Sequence, residues 1–139
     1  MNVLADTSVW SLALRRASRN LNTTEKAIVA ELAGLIDEGR AKIIGLVRQE
    51  LLSGIKSNEQ FAKLRDILAA FPDEPADSSD YEFAALLGNK CRSQGVFVSV
   101  SDMLICFIAQ SRGWPVFSTD SDFKRYARIL AIKLHTPRK

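Results

Sequence analysis

Apolar and polar residues alternate along this chain with two different periods. Short apolar runs bounded by polar or turn-forming residues predict four β-strands, over residues 2–5, 42–46, 115–118 and 132–135. Elsewhere apolar residues recur every three or four positions, which predicts helices, over residues 7–15, 47–54, 58–70 and 121–130, after Asn22, after Ser79, and from Asp102 to Gly113.

Capping residues support several of these helix boundaries. Asn22 with Glu25, and Ser79 with Glu82, have the spacing of a capping box. The helix after Ser79 is predicted to bury one apolar face, made of Phe83, Leu86, Leu87 and Cys91. Residues 103–109 are apolar throughout, which suits a buried helix, and the length of the segment favours helix over strand.

Alternation of strands and helices predicts a parallel sheet with helices on both faces. We therefore expect an α/β fold, a three-layer α/β/α sandwich with a central, mainly parallel sheet of four to five strands. The 139 residues suit a single domain spanning 1–139. The proline-rich, acidic loop 72–77 is interpreted as a surface connection, because neither half alone would build a good core.

Composition narrows the possible chemistry. The chain is 47% apolar and 25% charged, with a formal net charge of +3 and one histidine. A mildly basic protein permits a nucleic-acid partner without requiring one, and a single histidine excludes acid–base catalysis by a histidine pair. Cys91 and Cys106 are too few for a disulfide framework and are expected to be reduced core thiols. With no membrane span or signal peptide predicted, a cytoplasmic location is expected.

Five acidic residues follow the apolar runs or open the helices beyond them: Asp6, Glu50, Asp102, Asp120 and Asp122. The carboxyl ends of parallel strands meet at one crevice, so these side chains are expected to converge there. Crowded carboxylates repel each other unless a cation holds them. A bound divalent cation neutralises phosphodiester charge and lowers the pKa of its water. The pattern therefore indicates a metal-dependent nuclease.

Each acid also has a purely structural interpretation. Asp6 suits an N-cap for the helix after it, Glu50 suits an exposed helix position, and Asp120 suits a turn. Asp102 stands three residues after Ser99, and Asp122 three after Thr119, as in capping pairs. A purely structural explanation requires all five alternatives to be true at once. Capping is also compatible with metal binding, because helix N-termini attract anions.

The chain resembles the PIN-domain ribonucleases, and most closely the VapC-type toxins of bacterial toxin–antitoxin pairs. The resemblance is carried by Asp6-Thr7-Ser8 after the first strand, Glu50 before Leu51-Leu52, Ser101-Asp102 opening the buried helix, and residues 118–123, Ser-Thr-Asp-Ser-Asp-Phe. It extends over nearly the whole chain in the order typical of the family.

The resemblance implies an endoribonuclease that uses Mg²⁺ or Mn²⁺ and water, leaving a 5′-phosphate and a 3′-hydroxyl. It assigns catalytic and metal-binding roles to Asp6, Glu50, Asp102 and Asp120, makes Asp122 a further ligand, and gives Ser8 and Thr119 orienting roles. It also implies a homodimer neutralised by a cognate VapB-like antitoxin. RNA contacts are expected from two basic groups near these motifs, although solvated helix faces would look the same: Arg15, Arg16 and Arg19, and Lys124, Arg125 and Arg128.

Two other functional classes fit parts of the pattern. A phosphoaspartate receiver or an aspartate-nucleophile phosphatase also places acids at strand ends, but here Asp6 is followed by Thr7 and Ser8 where those classes carry further acids. A non-catalytic PIN-like module would bind RNA or protein only, and the complete set of acids argues against it. Arg112 and the basic tail 137–139 are interpreted as solubilising, and His135 receives no role.

Overall fold

A computed structural model describes residues 1–138 of the chain. Its three strands are β1 (Val3–Ala5), β2 (Ala41–Lys42) and β3 (Val116–Phe117). The seven α-helices in this part of the chain are α1 (Thr7–Leu14), α2 (Thr23–Asp37), α3 (Gly45–Leu52), α4 (Asn58–Leu68), α5 (Ser78–Ser93), α6 (Val100–Arg112) and α7 (Asp122–Ala127), and a short 3-10 helix spans Ser18–Asn20.

The strands form a parallel sheet in the order β2-β1-β3, with β1 in the centre. Leu4 pairs with Lys42 on one side and with Val116 on the other. All three residues of β1 are fully buried, as expected for a strand covered on both faces. Helix α6 packs on β1 and β3, and α2 packs on β2. The predicted α/β/α class with a parallel sheet is confirmed.

The sheet is smaller than the predicted four to five strands. Residues 132–135 form only one bridge to β3, between Leu134 and Val116. The predicted strand 42–46 is also too long, because Gly45 already begins α3 and Ile44 is its N-cap. The apolar run 43–46 therefore enters a helix, a distinction that a short apolar run does not reveal.

The apolar segment 103–109, for which the sequence favoured helix over strand, lies within helix α6. Its buried positions lie all round its circumference: Met103, Leu104, Ile105, Cys106, Ile108 and Ala109. It ends at Gly113, whose φ of 72° is left-handed and suits glycine at this position. Cys91 and Cys106 are buried free thiols, as predicted. Within residues 1–138, no helix combines the length and apolarity that crossing a bilayer requires.

Helix α5 begins earlier than predicted, and its buried face differs. The capping box is formed by Asp77 and Asp80 rather than by Ser79 and Glu82. The buried residues of α5 are Ala84, Gly88 and Cys91, whereas Phe83 and Leu86 are exposed. By contrast, the Asn22–Glu25 box of α2 is confirmed.

Two of the basic residues predicted to be solubilising, Arg112 and Arg138, make structural contacts, and the third, Lys139, lies outside the described residues. Arg112 bonds to Glu74 and to the carbonyl of Pro75, which fixes the loop before α5. Arg138 bonds to Glu38 and to the buried Glu31, which also contacts His135. These contacts hold the C-terminal segment against α2, so the solubilising interpretation is wrong for Arg112 and Arg138.

Candidate active site

Four of the five acids lie after a strand or at the start of a helix, and Glu50 lies near the end of α3. Asp6 follows β1 directly and is the N-cap of α1. Asp102 lies in the first turn of α6, and Asp122 begins α7 two residues after Asp120. Glu50 reaches the crevice from α3, where its carboxylate accepts a hydrogen bond from the Thr7 hydroxyl beside Asp6. Parallel strand order thus brings together residues that are distant in sequence.

Three of these carboxylates form a compact group. One oxygen from each of Asp102, Asp120 and Asp122 lies within 4.8 Å of the others. Asp6 and Glu50 are not members of this close group. The charge of Glu50 contributes to the raised pKa of Asp102, and the charge of Asp102 contributes to the raised pKa of Asp6. The structure thus brings three of the five acids within 4.8 Å of one another and leaves Asp6 and Glu50 outside this group.

Asp6 is held firmly on both carboxylate oxygens. Oδ1 accepts hydrogen bonds from the Ser8 hydroxyl (2.6 Å) and from the backbone N–H of Val9 (3.3 Å), and Oδ2 accepts one from Ser118 (2.6 Å). The side chain is an N-cap and a crevice residue at once. Asp6 is only 5% exposed. Burial raises its pKa, the three hydrogen bonds lower it, and the charge of Asp102 raises it, so the pKa ends above its ordinary value.

Asp102 has one oxygen fixed by Tyr126, whose hydroxyl donates to Oδ2 at 2.8 Å. Its backbone N–H donates to the Ser99 hydroxyl, so the Ser99–Asp102 capping contact also forms. Burial raises the pKa of Asp102, hydrogen bonds from Tyr126 and Ser99 lower it, and the charges of Asp120 and Glu50 raise it. The pKa of Asp102 is raised overall, chiefly because the carboxyl group is buried, and the neighbouring carboxylates add to that rise.

Asp120 and Asp122 are linked by the loop that follows β3. The backbone N–H of Asp122 donates to Asp120 Oδ1 at 2.9 Å, a local bond typical of an aspartate in a turn. Arg125 donates to Asp122 Oδ1. The alternative capping pair of Thr119 with Asp122 does not form, since α7 has no side-chain cap. Each carboxylate of the close group is therefore fixed through one oxygen.

Two serine hydroxyls connect Asp6 to the loop after β3 in a hydrogen-bond network. The predicted residue Ser8 donates to Asp6 and accepts from the backbone N–H of Thr119 (2.9 Å). Thr119 thus joins the network through its main chain. Ser118, which the sequence analysis missed, donates to Asp6 and accepts from the backbone N–H of Asp120 (2.9 Å).

Thr7, Ser101 and Tyr126 were missed as well. Thr7 and Ser101 both donate to Glu50, at 2.7 and 3.4 Å. Each of these two hydroxyl residues is adjacent in sequence to a predicted acid. That adjacency, together with the position of Ser118 directly after a strand, was the available signal. No local pattern pointed to Tyr126, because α7 brings it to Asp102 from 24 residues away.

The basic residues predicted to contact RNA differ in their surroundings. Arg16 pairs with Glu25 at 2.8 Å and Arg125 pairs with Asp122. The other four are exposed and have no carboxylate within 4 Å among residues 1–138: Arg15, Arg19, Lys124 and Arg128. Ion pairing within the fold thus occupies two of the six.

An acidic crevice at the carboxyl ends of parallel strands defines a class of α/β proteins that bind hard cations through oxygen. The sequence matches the PIN domain family over residues 3–129, which include all five acids. The chain belongs to the PIN domain family. A comparison with curated protein sequences finds no significant match.

Solved structures share this fold at low sequence identity. FitAcB from Neisseria gonorrhoeae has a chain that is 21% identical, with a TM-score of 0.74 over 97% of both chains. VapBC2 from Rickettsia felis, bound to a promoter DNA fragment, matches at 18% identity and a TM-score of 0.72, covering 97% of this chain and 98% of that one. VapBC-5 from Mycobacterium tuberculosis matches at 20% identity and 0.65, covering 96% and 95%.

Proposed function

We propose that this protein is a metal-dependent endoribonuclease toxin that cuts RNA with Mg²⁺ or Mn²⁺ and is neutralised by a cognate antitoxin. The observation that carries the proposal is the close oxygen group of Asp102, Asp120 and Asp122, with Asp6 and Glu50 beside it. Family membership supports a nuclease. The fold shared with chains of the VapBC toxin–antitoxin family supports the toxin assignment.

The donor set fits a hard divalent cation. All candidate ligands are carboxylate oxygens, which Mg²⁺ and Mn²⁺ prefer over nitrogen and sulfur. Asp102 and Asp122 each have one oxygen committed to Tyr126 or Arg125, which leaves the other available. Cations would also remove the repulsion that raises the pKa of Asp102. A bound cation would supply charge neutralisation at the phosphodiester and a water of lowered pKa.

The chain's own residues would orient this chemistry. Asp102, Asp120 and Asp122 would be the ligands, and Thr7 and Ser101 would hold Glu50 at the edge of the crevice. A carboxylate offers about four lone-pair positions, and Asp6 uses three of them on Ser8, Val9 and Ser118. Its remaining position is free to accept a proton or a bound water, so Asp6 would act with a fixed orientation.

The reaction would be a hydrolysis with water as the only co-reactant. The water oxygen forms a bond to phosphorus while the bond from phosphorus to the 3′ oxygen breaks. One water proton leaves to a carboxylate or to solvent, and the departing 3′ oxygen takes up a proton. The products are a 5′-phosphate and a 3′-hydroxyl.

Cleavage of RNA by the purified protein tests this proposal. We expect cleavage with Mg²⁺ or Mn²⁺, none with EDTA, and a loss of at least about 100-fold in Asp6→Asn or Asp120→Asn, more than a change to a neighbouring hydroxyl would cause. Asp37→Asn is the matched control, because Asp37 is an exposed acid at the end of α2. Cleavage that persists in EDTA, or equal losses in all three variants, would refute the proposal.

Thermal unfolding of the same proteins tests the metal site separately. Ligand at one hundred times its dissociation constant stabilises a protein by about 2.7 kcal/mol, which for a chain of this size raises Tm by roughly 10 °C. We expect Mn²⁺ to give such a rise in the wild type and in Asp37→Asn. The rise should shrink in Asp120→Asn, and an equal rise in all of them would remove Asp120 from the ligand set.

Partner binding is part of the proposal. Exposed apolar side chains lie along α5, in the loop after it and at the start of α6, an arrangement typical of interaction surfaces: Tyr81, Phe83, Leu86, Phe97 and Val100. We assign this surface to a homodimer, because one apolar surface can pair with the same surface of a second copy across a two-fold axis. The antitoxin would act on the crevice, in the cytoplasm.

Two rival functions have different outcomes in these experiments. The family assignment is to the PIN domain rather than to a receiver or an aspartate-nucleophile phosphatase. A non-catalytic PIN-like module would instead bind RNA tightly without cleavage that Mg²⁺ or Mn²⁺ stimulates. That result would replace the proposed activity with a binding function.

A further inference from the structure

A second polar cleft lies at the opposite end of α1 from the acidic crevice. It has a volume of about 390 Å³ and is formed by the end of α1, the turn after α3, and α4. Three cations and one amide line it over an apolar floor that includes Leu14 and Leu64: Arg15, Lys56, Lys63 and Gln60. None of its lining residues, all within the described part of the chain, is acidic.

The cations of this cleft differ from most arginines of the protein. Seven arginines lie within 4 Å of a carboxylate: Arg16, Arg40, Arg48, Arg65, Arg112, Arg125 and Arg138. In contrast, Arg15, Lys56 and Lys63 have no such partner within residues 1–138. Three like charges around one cleft repel each other, so they do not stabilise the fold. A polyanion placed between them would relieve that repulsion.

The cleft is positioned to work together with the acidic crevice. Helix α1 begins at Thr7, whose hydroxyl bonds Glu50, and ends at Leu14 in the wall of the cleft. At about 1.5 Å per residue, the helix separates the two places by roughly 12 Å. That distance exceeds the Debye length of about 8 Å at physiological salt. Phosphates in the cleft would therefore be largely screened from the carboxylates.

We infer that the cleft of Arg15, Lys56 and Lys63 binds the backbone phosphates of a single-stranded RNA whose scissile bond lies at the acidic crevice. The inference rests on the proposed function and extends it to the path of the substrate. Lysine and arginine give affinity for phosphates without reading sequence, and Gln60 adds a hydrogen-bonding group. Of the six basic residues predicted from the sequence, only Arg15 lines this cleft, and Lys56 and Lys63 are new.

Salt-dependent RNA binding tests this inference. The cleft variant is Arg15→Gln, Lys56→Gln and Lys63→Gln together. The control variant is Lys26→Gln, Lys90→Gln and Lys133→Gln, which removes the same charge from exposed positions elsewhere. Both are made in an Asp6→Asn background to prevent cleavage. Binding of fluorescent polyuridylate is measured by anisotropy between about 50 and 200 mM salt, with circular dichroism confirming that each variant is folded.

We expect the cleft variant to bind polyuridylate at least about tenfold more weakly at low salt, and its log–log salt slope to fall by about 2, or 0.7 for each lost contact on a single strand. The control variant should retain most of the affinity and slope. Equal losses in the two variants would overturn the inference. Tighter binding of polyglutamate than of polyuridylate by the cleft would overturn it too, because the occupant would then be an acidic peptide.

Cleavage separates this inference from the proposed function. If the protein with Asp6 intact cuts RNA and the cleft variant cuts it with the same KM and kcat, the cleft inference fails alone. If the protein binds polyuridylate through the cleft but never cuts RNA, the proposed function fails, and the inference keeps phosphate binding by the cleft but loses the scissile bond at the crevice.

Discussion

Replacing Ser118 with alanine removes a single hydroxyl that joins two parts of the acidic crevice. Its oxygen donates to Asp6 Oδ2 at 2.6 Å and accepts from the backbone N–H of Asp120 at 2.9 Å. Hydrogen bonds to charged groups contribute about 1.5–3 kcal/mol. The N–H of Asp120 is at an exposed residue, where water replaces the lost bond, so the main loss falls on Asp6.

This loss predicts both a rate change and a change in pH dependence. About 1.36 kcal/mol corresponds to tenfold in rate, so Ser118→Ala should lower kcat/KM for RNA by about 10- to 100-fold, the usual range for groups that orient ligands. The Ser118 hydrogen bond lowers the pKa of Asp6. Without it the Asp6 pKa rises further, and the acid limb of the pH–rate profile should move to higher pH.

Two further variants make the Ser118 test decisive. Ser118→Thr keeps a hydroxyl and should recover activity and the original pH profile. Ser121→Ala removes a serine from the same loop whose side chain does not cap α7, and it should leave both unchanged. A folded Ser118→Ala protein with wild-type kcat/KM and an unshifted profile would refute the positioning role.

Two other predictions concern stability and assembly. Burial alone would raise the pKa of Glu31, but hydrogen bonds from His135 and Arg138 outweigh it and lower that pKa below 4.5. Glu31→Gln should therefore reduce the free energy of unfolding by about 2 kcal/mol at pH 7. The difference should shrink as pH falls below 4.5 and vanish only below the lowered pKa of Glu31 in the folded protein; urea unfolding across pH checks this, and a pH-independent difference contradicts it. For assembly, Leu86→Glu with Phe97→Glu, at positions 59% and 90% exposed, should give a folded monomer by circular dichroism where light scattering shows a wild-type dimer; a persisting dimer removes this surface from the interface.

The parallel sheet and the acid positions were accessible from the sequence because each depends on local patterns. The acids follow apolar runs or open helices, and parallel strands carry strand ends to one edge. The hydrogen-bond partners of the hydroxyls were not accessible, because the bond between Ser118 and Asp6 joins residues 112 positions apart. It depends on the register of β1 with β3, and a one-residue shift would turn every side chain of the strand to the other face.

Helix α5 shows a different limit of sequence patterns. Phe83 and Leu86 have helical spacing and were predicted to be buried, yet the small residues Ala84 and Gly88 face the core. A Cβ atom added at Gly88 would lie 3.3 Å from the Met103 side chain of α6. The two helices therefore approach closely, and small residues fit best on the buried side of α5. Apolar periodicity cannot distinguish a core face from an interaction face when both lie on one helix.

The central position of β1 in the sheet determines when the sheet can form during synthesis of the chain. β1 is made first, but one of its two partners, β3, emerges only after more than a hundred further residues. Until then Asp6 has no Ser118 to hold it, and Asp120 does not exist. We therefore expect the acidic site to form only after β3 has left the ribosome and paired with β1, so that a nascent chain without β3 has no assembled site.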